Sequence, residues 1–247
     1  MKYDIISGWY SDGAARPYKV KGDDFVRSVE CFYLWEWCIR RYTNPDQIYI
    51  VESASPIVPE LPAKSNINWV RFSRNFGHAV QSKGTLSGWS RALLSGLLYS
   101  YCNGSDYVAL VEQGSLFYGP EIIEKEIAKY PDAGVIAPAG KGTPQPLQTG
   151  IMIFRTSIVP EFIARYAAIP QPDGGPNGIS PEKKVFSVAS GMNLALSNLR
   201  YGRARPLTFD RDEMFVRHAT ATELQAFLER VGLQEPPTRA SLDASAG

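Results

Sequence analysis

The side chains with the strongest case for chemistry come at the end of an apolar run. Residues 106–119 read DYVALVEQGSLFYG, so a segment rich in strand-forming residues leads into Glu112, Gln113, Gly114 and Ser115. Open α/β sheets bind their ligands beside the carboxyl ends of their strands. We therefore expect this turn, in which Glu112 is the only acidic residue, to belong to a ligand site.

Several familiar local motifs are absent from the sequence. No G-x-G-x-x-G follows a predicted strand, and neither G-x-x-x-x-G-K-[ST] nor H-E-x-x-H occurs. Dinucleotide-binding, P-loop and zinc-protease functions therefore have no local support. The two histidines, His78 and His218, give no support to a histidine-based catalytic triad.

The elements that must position these residues alternate in type. Hydrophobic patterning predicts helices at 25–39 and 86–101 and strands at 3–10, 47–52, 68–72, 107–112, 134–138 and 148–155. The connections between the early strands are long enough for crossovers, which favours parallel pairing. The sequence therefore predicts an α/β fold, a three-layer sandwich with a mainly parallel central sheet.

Composition restricts the class of protein. The 247 residues are 44% hydrophobic, so we expect one domain over 1–233 and a flexible tail over 234–247. The net charge of +1 gives no basic field that would point to nucleic acid as a partner. The sequence has no signal-peptide block and no run near the roughly 18 apolar residues of a transmembrane segment, which predicts a cytoplasmic protein.

The cysteines are predicted to be structural. Cys31 and Cys38 lie in an apolar helical pattern, and Cys102 leaves the number of thiols odd. No C-x-x-C pair occurs, so we expect neither a disulfide nor a zinc site.

Three segments together resemble a known family. They are RNFG at 74–77, GWSRALLSG at 88–96 and DYVALVE at 106–112. In nucleotide-sugar-dependent glycosyltransferases with the GT-A fold, of the family-2 type, an Asn-x-Gly turn leads to an arginine-bearing helix. A strand then ends in a D-x-D motif. The order of elements resembles that family over roughly residues 1–155.

The resemblance implies a Rossmann-like GT-A fold and a transferase activity. The donor would be a nucleotide diphosphate sugar, of the UDP type, and the acceptor a glycan or lipid-linked molecule, as in bacterial surface polysaccharide synthesis. Residues 1–119 would bind the nucleotide sugar, and residues 120–233 would form the acceptor side.

The D-x-D motif is degenerate in this sequence. Glu112 matches its first acid and Gly114 its last, which in the family holds a divalent metal ion between the phosphates. Glycine has no side-chain ligand, so the site for Mn²⁺ or Mg²⁺ is weakened; no organic cofactor is expected. The resemblance implies that His218 either binds the metal ion or donates a hydrogen bond to phosphate. Arginines within 200–217 could help to balance the diphosphate charge or could form a solvated charged face.

The same resemblance assigns residues to donor binding and to catalysis. Ser7 and Tyr10 would flank the nucleobase, Glu52 would accept hydrogen bonds from base or ribose, and Arg91 would face base or phosphate. Tyr10 could instead cover the edge of the core, and Glu52 could be a solvated loop acid.

A carboxylate is also needed to take the proton of the acceptor hydroxyl group. Glu182 is the first candidate for this base. It follows a loop rich in proline and glycine, IPQPDGGPNGISP at 169–181, and Asp173 within that loop is the second candidate. Glu182 could instead serve only to complement the positive end of its helix.

Two other functions remain open. A GT-A-like domain could bind a nucleotide sugar without transferring it, which the glycine at 114 favours. A nucleotidyltransferase would normally carry a loop rich in glycine and arginine after its first strand, and residues 7–10, SGWY, do not fit that pattern.

Overall fold

The computed structural model describes residues 1–13, 22–62, 65–77 and 84–245. Its strands are β1 (Tyr3–Trp9), β2 (Gln47–Ser53), β3 (Ile67–Phe72), β4 (Tyr107–Val111), β5 (Ser115–Tyr118), β6 (Val135–Pro138), β7 (Ile151–Arg155), β8 (Leu194–Ser197), β9 (Tyr201–Gly202) and β10 (Met214–Arg217). Its α-helices are α1 (Val29–Tyr42), α2 (Gly88–Cys102), α3 (Ile122–Lys129), α4 (Val159–Ala167), α5 (Pro181–Ala189), α6 (Ala221–Val231) and α7 (Arg239–Ser245).

The central sheet has seven strands within the described residues, in the order β3-β2-β1-β4-β7-β6-β8. β1 pairs in parallel with β2 and with β4, and β2 pairs in parallel with β3. Only β7 runs against its neighbours, β4 and β6, and β8 is parallel to β6. The predicted α/β fold with a mainly parallel central sheet is confirmed.

Helices cover both faces of this sheet, which explains the unbroken apolar run in β4. Ala109 and Val111 belong to the hydrophobic cluster that contains residues of α1, α3 and α6. Val108 and Leu110 belong to the opposite cluster, with residues of α2, α4 and α5. Because successive side chains of a strand point to opposite faces, a strand buried on both faces reads as a nearly continuous apolar run.

The two helices of the first half begin at serine caps. The Ser28 side chain accepts a hydrogen bond from the Cys31 backbone N–H at the start of α1, and Ser87 accepts one from Ser90 at the start of α2. The sequence places the start of the first helix earlier, but residues 24–27 form a separate 3₁₀ turn that Asp23 caps.

A small second sheet lies beside the end of β4. It has the order β5-β10-β9, and β10 runs antiparallel to β5 with Arg217 opposite Ser115. This pairing joins residues about a hundred positions apart in sequence, and periodicity does not predict it. It brings the end of the arginine-rich segment beside the turn that contains Glu112.

The structure differs from two sequence expectations. Within the predicted flexible tail, residues 239–245 form α7, which contacts α1 and buries Leu242. Cys102, predicted to be structural, is the last residue of α2 and is exposed.

The other two cysteines are buried in α1. Burial raises the pKa of the Cys31 thiol well above its usual range and that of Cys38 to about 12, so both thiols stay protonated. Among the described residues, no helix has the length and apolar character needed to cross a membrane.

Candidate functional site

The loops after β1, β2 and β4 meet at one edge of the sheet. The Tyr10 backbone N–H donates to Gln113 Oε1 at 3.2 Å, which joins the first loop to the turn after β4. The Ser11 backbone N–H donates to Ser55 Oγ at 2.8 Å, which joins it to the loop after β2. This edge is where an open α/β sheet binds its ligand.

The turn at the end of β4 requires a glycine at position 114. The Ser115 backbone N–H donates to the Glu112 carbonyl oxygen at 2.9 Å, which closes the turn. Gly114 has a φ of +75°, and a Cβ atom there would lie 2.8 Å from the Val26 carbonyl oxygen. Both the left-handed backbone and the close approach of Val26 exclude a larger residue. An aspartate at 114 would strain this turn rather than simply add a ligand.

The Glu112 carboxylate already has a partner for each of its oxygens. Trp89 Nε1 donates to Oε1 at 2.8 Å, and the Arg217 guanidinium forms an ion pair with Oε2. Only 7% of Glu112 is exposed. Its carboxylate therefore positions Arg217 and does not present a vacant ligand.

Arg217 is a buried cation at the end of β10. Its Nη1 donates to Thr149 Oγ1 at 3.0 Å, while its Nε has no hydrogen-bond partner within the described part of the chain. Burial lowers the pKa of the Arg217 guanidinium, and the neighbouring Arg203 lowers it further. The carboxylates of Glu112 and Glu182 act in the opposite direction.

Glu182 and Arg203 form a second ion pair beside the first. Arg203 Nη2 lies 3.4 Å from Glu182 Oε1, and the Arg203 backbone N–H donates to Gln148 Oε1 at 2.6 Å. Arg217 interacts electrostatically with both members of this pair. We call Glu112, Arg217, Glu182 and Arg203 the charge cluster; it combines two carboxylates with two guanidinium groups at the carboxyl end of β4.

His218 follows the charge cluster directly in sequence. Its φ is +58°, and the Arg205 guanidinium donates to its carbonyl oxygen at 3.3 Å. Because Arg217 lies opposite Ser115, His218 continues the chain beside the turn that contains Gly114. The role of His218 as a metal ligand or as a hydrogen-bond donor to phosphate stays a prediction.

Asp173, the second candidate for the catalytic base, lies in the protein interior. It is fully buried and forms an ion pair with Lys184, with Nζ 2.7 Å from Oδ1. Its Oδ2 accepts hydrogen bonds from the backbone N–H and the hydroxyl group of Ser87, at 2.7 and 2.8 Å. Asp173 therefore fastens the loop of residues 169–181 to the start of α2, and we withdraw it as a candidate base.

The predicted donor-binding residues fall into two groups. Tyr10 and Glu52 lie at the site edge, although Glu52 is largely buried and accepts a hydrogen bond from the Ser55 backbone N–H. Ser7 is buried within β1, two residues before its end, so its hydroxyl group is not part of the loop that follows.

Arg91 packs against neighbouring loops. Its guanidinium carbon lies 4.0 Å from the centre of the Phe76 ring, and its Nε donates to the Leu86 carbonyl oxygen at 3.2 Å. These contacts give Arg91 a structural role in holding residues 74–77 and 84–87 together. Residues 78–83, with His78, lie outside the described residues.

Within the described residues, the turn after β4 lacks the ligands that a protein-held divalent cation needs. Mn²⁺ and Mg²⁺ require several oxygen ligands. Here Gly114 offers none, and Glu112 is engaged by a tryptophan and an arginine. Across the ranges that the structure describes, no group of three or more His, Cys, Asp or Glu residues could hold a metal ion.

The fold agrees with that of a solved mannosyltransferase, PcManGT from Pyrobaculum calidifontis, whose structure contains GDP-Man and Mn²⁺. The match covers 99% of this chain and 68% of that chain, with a TM-score of 0.51 and 11% identity. The chain has the GT-A fold. At this identity the likeness concerns the fold alone.

Two other solved structures resemble the fold of this chain with lower TM-scores. TarS residues 1–349 from S. aureus, in complex with UDP, matches 97% of this chain at 12% identity, with 68% of that TarS 1–349 chain covered and a TM-score of 0.46. A putative glucose-1-phosphate thymidylyltransferase from Bacillus anthracis matches 91% at 11% identity, covers 92% of that enzyme and has a TM-score of 0.48. No protein-family model and no curated protein sequence matches the chain.

Sequence reasoning did not single out three residues of this candidate site. Trp89 and Arg217 contact Glu112, and Arg203 contacts Glu182. The only signal for the two arginines was the arginine content of 200–217, and Trp89 appeared only within the segment GWSRALLSG. Selecting Arg217 among those arginines requires the pairing of β10 with β5, which sequence periodicity does not reveal.

Proposed function

We propose that this GT-A domain is a glycosyltransferase. It transfers a sugar from a nucleotide diphosphate sugar, of the UDP type, to a glycan or lipid-linked acceptor. The charge cluster at the carboxyl end of β4 is the observation that carries this proposal. Two guanidinium groups suit a diphosphate, and a carboxylate beside them suits proton removal. Bacterial surface polysaccharide synthesis and a cytoplasmic location stay predictions from the sequence.

Glu182 is the proposed base of this reaction. The acceptor hydroxyl oxygen forms a bond to the anomeric carbon of the donor sugar, and the bond from that carbon to the diphosphate oxygen breaks. The diphosphate leaves with the electron pair, and Glu182 takes the hydroxyl proton. Donors aimed at the departing oxygens stabilise the charge that develops there, which is the role proposed for the arginines of the cluster.

The nucleoside part of the donor would lie towards the ends of β1 and β2. Tyr10 offers a ring to the nucleobase, and the loop that Glu52 stabilises forms the other side of this region. Both loops are joined to the Glu112 turn or to each other by hydrogen bonds, so base and diphosphate would bind to one connected surface.

We expect a nucleoside diphosphate to stabilise the protein against thermal unfolding. At a ligand concentration about a hundredfold above its dissociation constant, binding adds about 2.7 kcal/mol to the free energy of unfolding. For a chain of this length this corresponds to a rise in Tm of about 5–10 °C. The measurement is a thermal-shift series with UDP, GDP, ADP, CDP and dTDP in buffer containing Mn²⁺.

Nucleoside monophosphates and triphosphates provide the comparison in that series. A larger shift with triphosphates than with diphosphates would favour a nucleotidyltransferase. If no nucleotide shifts the Tm, the proposed donor site is wrong.

A domain that binds the donor without transferring the sugar is the second candidate. The engagement of Glu182 by Arg203 and of Glu112 by Arg217 favours it, because both carboxylates already have cationic partners. Release of the nucleoside diphosphate from a bound donor sugar, measured over time, separates the two candidates.

A further inference from the structure

The cationic side of the charge cluster has hydrogen-bond donors without partners. Within the described residues, the Nε atoms of Arg217 and Arg203 are buried and make no hydrogen bond. The same is true of Gln113 Nε2 and Ser115 Oγ in the adjoining turn. Buried polar groups normally have partners, so an unpartnered set at one place indicates a polar ligand.

Two of these side chains, Ser115 and Arg217, lie beside the same backbone position, Gly150. A Cβ atom added to Gly150 would lie 2.9 Å from Ser115 Oγ and 3.2 Å from Arg217 Cδ, so the two side chains border the same glycine. Arg203 reaches the cluster from the segment after β9, through its contact with Glu182. The unpartnered donors therefore come from separate segments that meet beside Glu112.

The chemistry of these donors matches phosphate oxygens. A guanidinium group is always charged at ordinary pH and forms paired hydrogen bonds with phosphate. A divalent cation, by contrast, would find the nearest carboxylate, Glu112, already paired with Arg217. Arginine and metal ion would compete for the same carboxylate.

We infer that Arg203 and Arg217 bind the diphosphate of the donor without a metal ion held by the protein. In this arrangement Glu112 is a positioning residue, which holds Arg217 from the side opposite to the ligand. The inference rests on the proposed function, because it assumes a diphosphate ligand, and it adds the means by which the charge of that ligand is balanced.

Isothermal titration calorimetry with UDP, and in parallel with GDP, tests the inference. The wild-type protein is titrated once in EDTA and once in Mn²⁺, and we expect the same dissociation constant in both buffers. Arg203→Met should weaken binding about tenfold or more, as the loss of a charge-assisted hydrogen bond does.

Two further variants complete the series. Arg217→Met alone would leave Glu112 buried without its partner, so Arg217 is tested as the double variant Glu112→Gln with Arg217→Met, which should also bind about tenfold or more weakly. Arg211→Met is the matched control: Arg211 belongs to the same arginine-rich segment, but its side chain is 54% exposed and pairs with Asp210. It should bind as the wild type does.

The outcomes distinguish failure of the proposed function from failure of the inference about diphosphate binding. No binding of either nucleotide to the wild type, in EDTA or in Mn²⁺, contradicts the proposed function itself. Binding that requires Mn²⁺ and disappears in EDTA overturns the inference and leaves the proposed function standing. Unchanged affinity in Arg203→Met overturns the inference as well, and this result is decisive even where the double variant fails to fold.

Discussion

Replacement of Lys184 by methionine should lower the free energy of unfolding by about 3–5 kcal/mol. The Lys184 ammonium group is fully buried, with Asp173 Oδ1 at 2.7 Å and the Thr85 carbonyl oxygen at 3.0 Å. Methionine fills a similar volume but leaves the Asp173 charge without its cationic partner. Urea denaturation followed by circular dichroism measures the change.

The neighbouring residue supplies the control for this prediction. Lys183 is exposed on the same helix, so Lys183→Met should change the free energy of unfolding by less than about 0.5 kcal/mol. The double variant Asp173→Asn with Lys184→Met, which removes both charges, should recover part of the lost stability. A Lys184→Met protein as stable as Lys183→Met would show that the buried ion pair does not hold the loop of residues 169–181.

Replacement of Glu182 by glutamine should lower the rate of sugar transfer by about 10²–10⁴-fold. The amide has nearly the same shape as the carboxylate but does not take up the proton of the acceptor hydroxyl. The affinity for the donor sugar nucleotide should fall little. Glu182 contacts Arg203, and its carboxylate does not itself donate a hydrogen bond to phosphate. The initial rate of nucleoside diphosphate release, at saturating donor and acceptor, measures the effect.

Glu161→Gln is the matched control for Glu182→Gln, because Glu161 lies on the exposed side of α4 and pairs with Arg165. Its rate should equal that of the wild type. Equal rates in Glu182→Gln and the wild type would remove Glu182 as the base. If the wild type binds the donor but releases no nucleoside diphosphate, the domain that binds without transfer becomes the better account.

The first half of the fold could be predicted from the sequence because local patterns determine it. Buried strands such as β4 read as unbroken apolar runs, and α2 has a serine cap at one end and an asparagine and a glycine at the other. The mainly parallel sheet then follows from the lengths of the connections. These features depend on residues close together in sequence.

The second sheet and the ion pairs could not be predicted in the same way. β9 has two residues and β10 four, too few for a periodic signal, and β10 pairs with β5, which lies far from it in sequence. The resemblance makes Asp173 a candidate base because it lies in the loop before Glu182, in the region where the family places its base. The burial of Asp173 against Lys184 and Ser87 depends on how that loop packs on α2.

Glu112 shows both what could be predicted from the sequence and what could not. The sequence placed it at the end of a strand, and the structure has it there. Its match to an acid of the D-x-D motif suggested a contact with the ligand, but Trp89 and Arg217 take up its oxygens. A motif read from one segment therefore indicated a candidate site, while the partners of the Glu112 carboxylate depend on contacts between distant segments.

A crystal structure of the protein with UDP bound would show directly which groups contact the diphosphate. We expect the diphosphate to lie at the carboxyl end of β4, with phosphate oxygens within hydrogen-bond distance of the Arg203 and Arg217 guanidinium groups. The nucleobase should lie towards Tyr10. A nucleotide bound away from this edge, or a diphosphate that contacts the protein only through a metal ion on Glu112, would contradict the account.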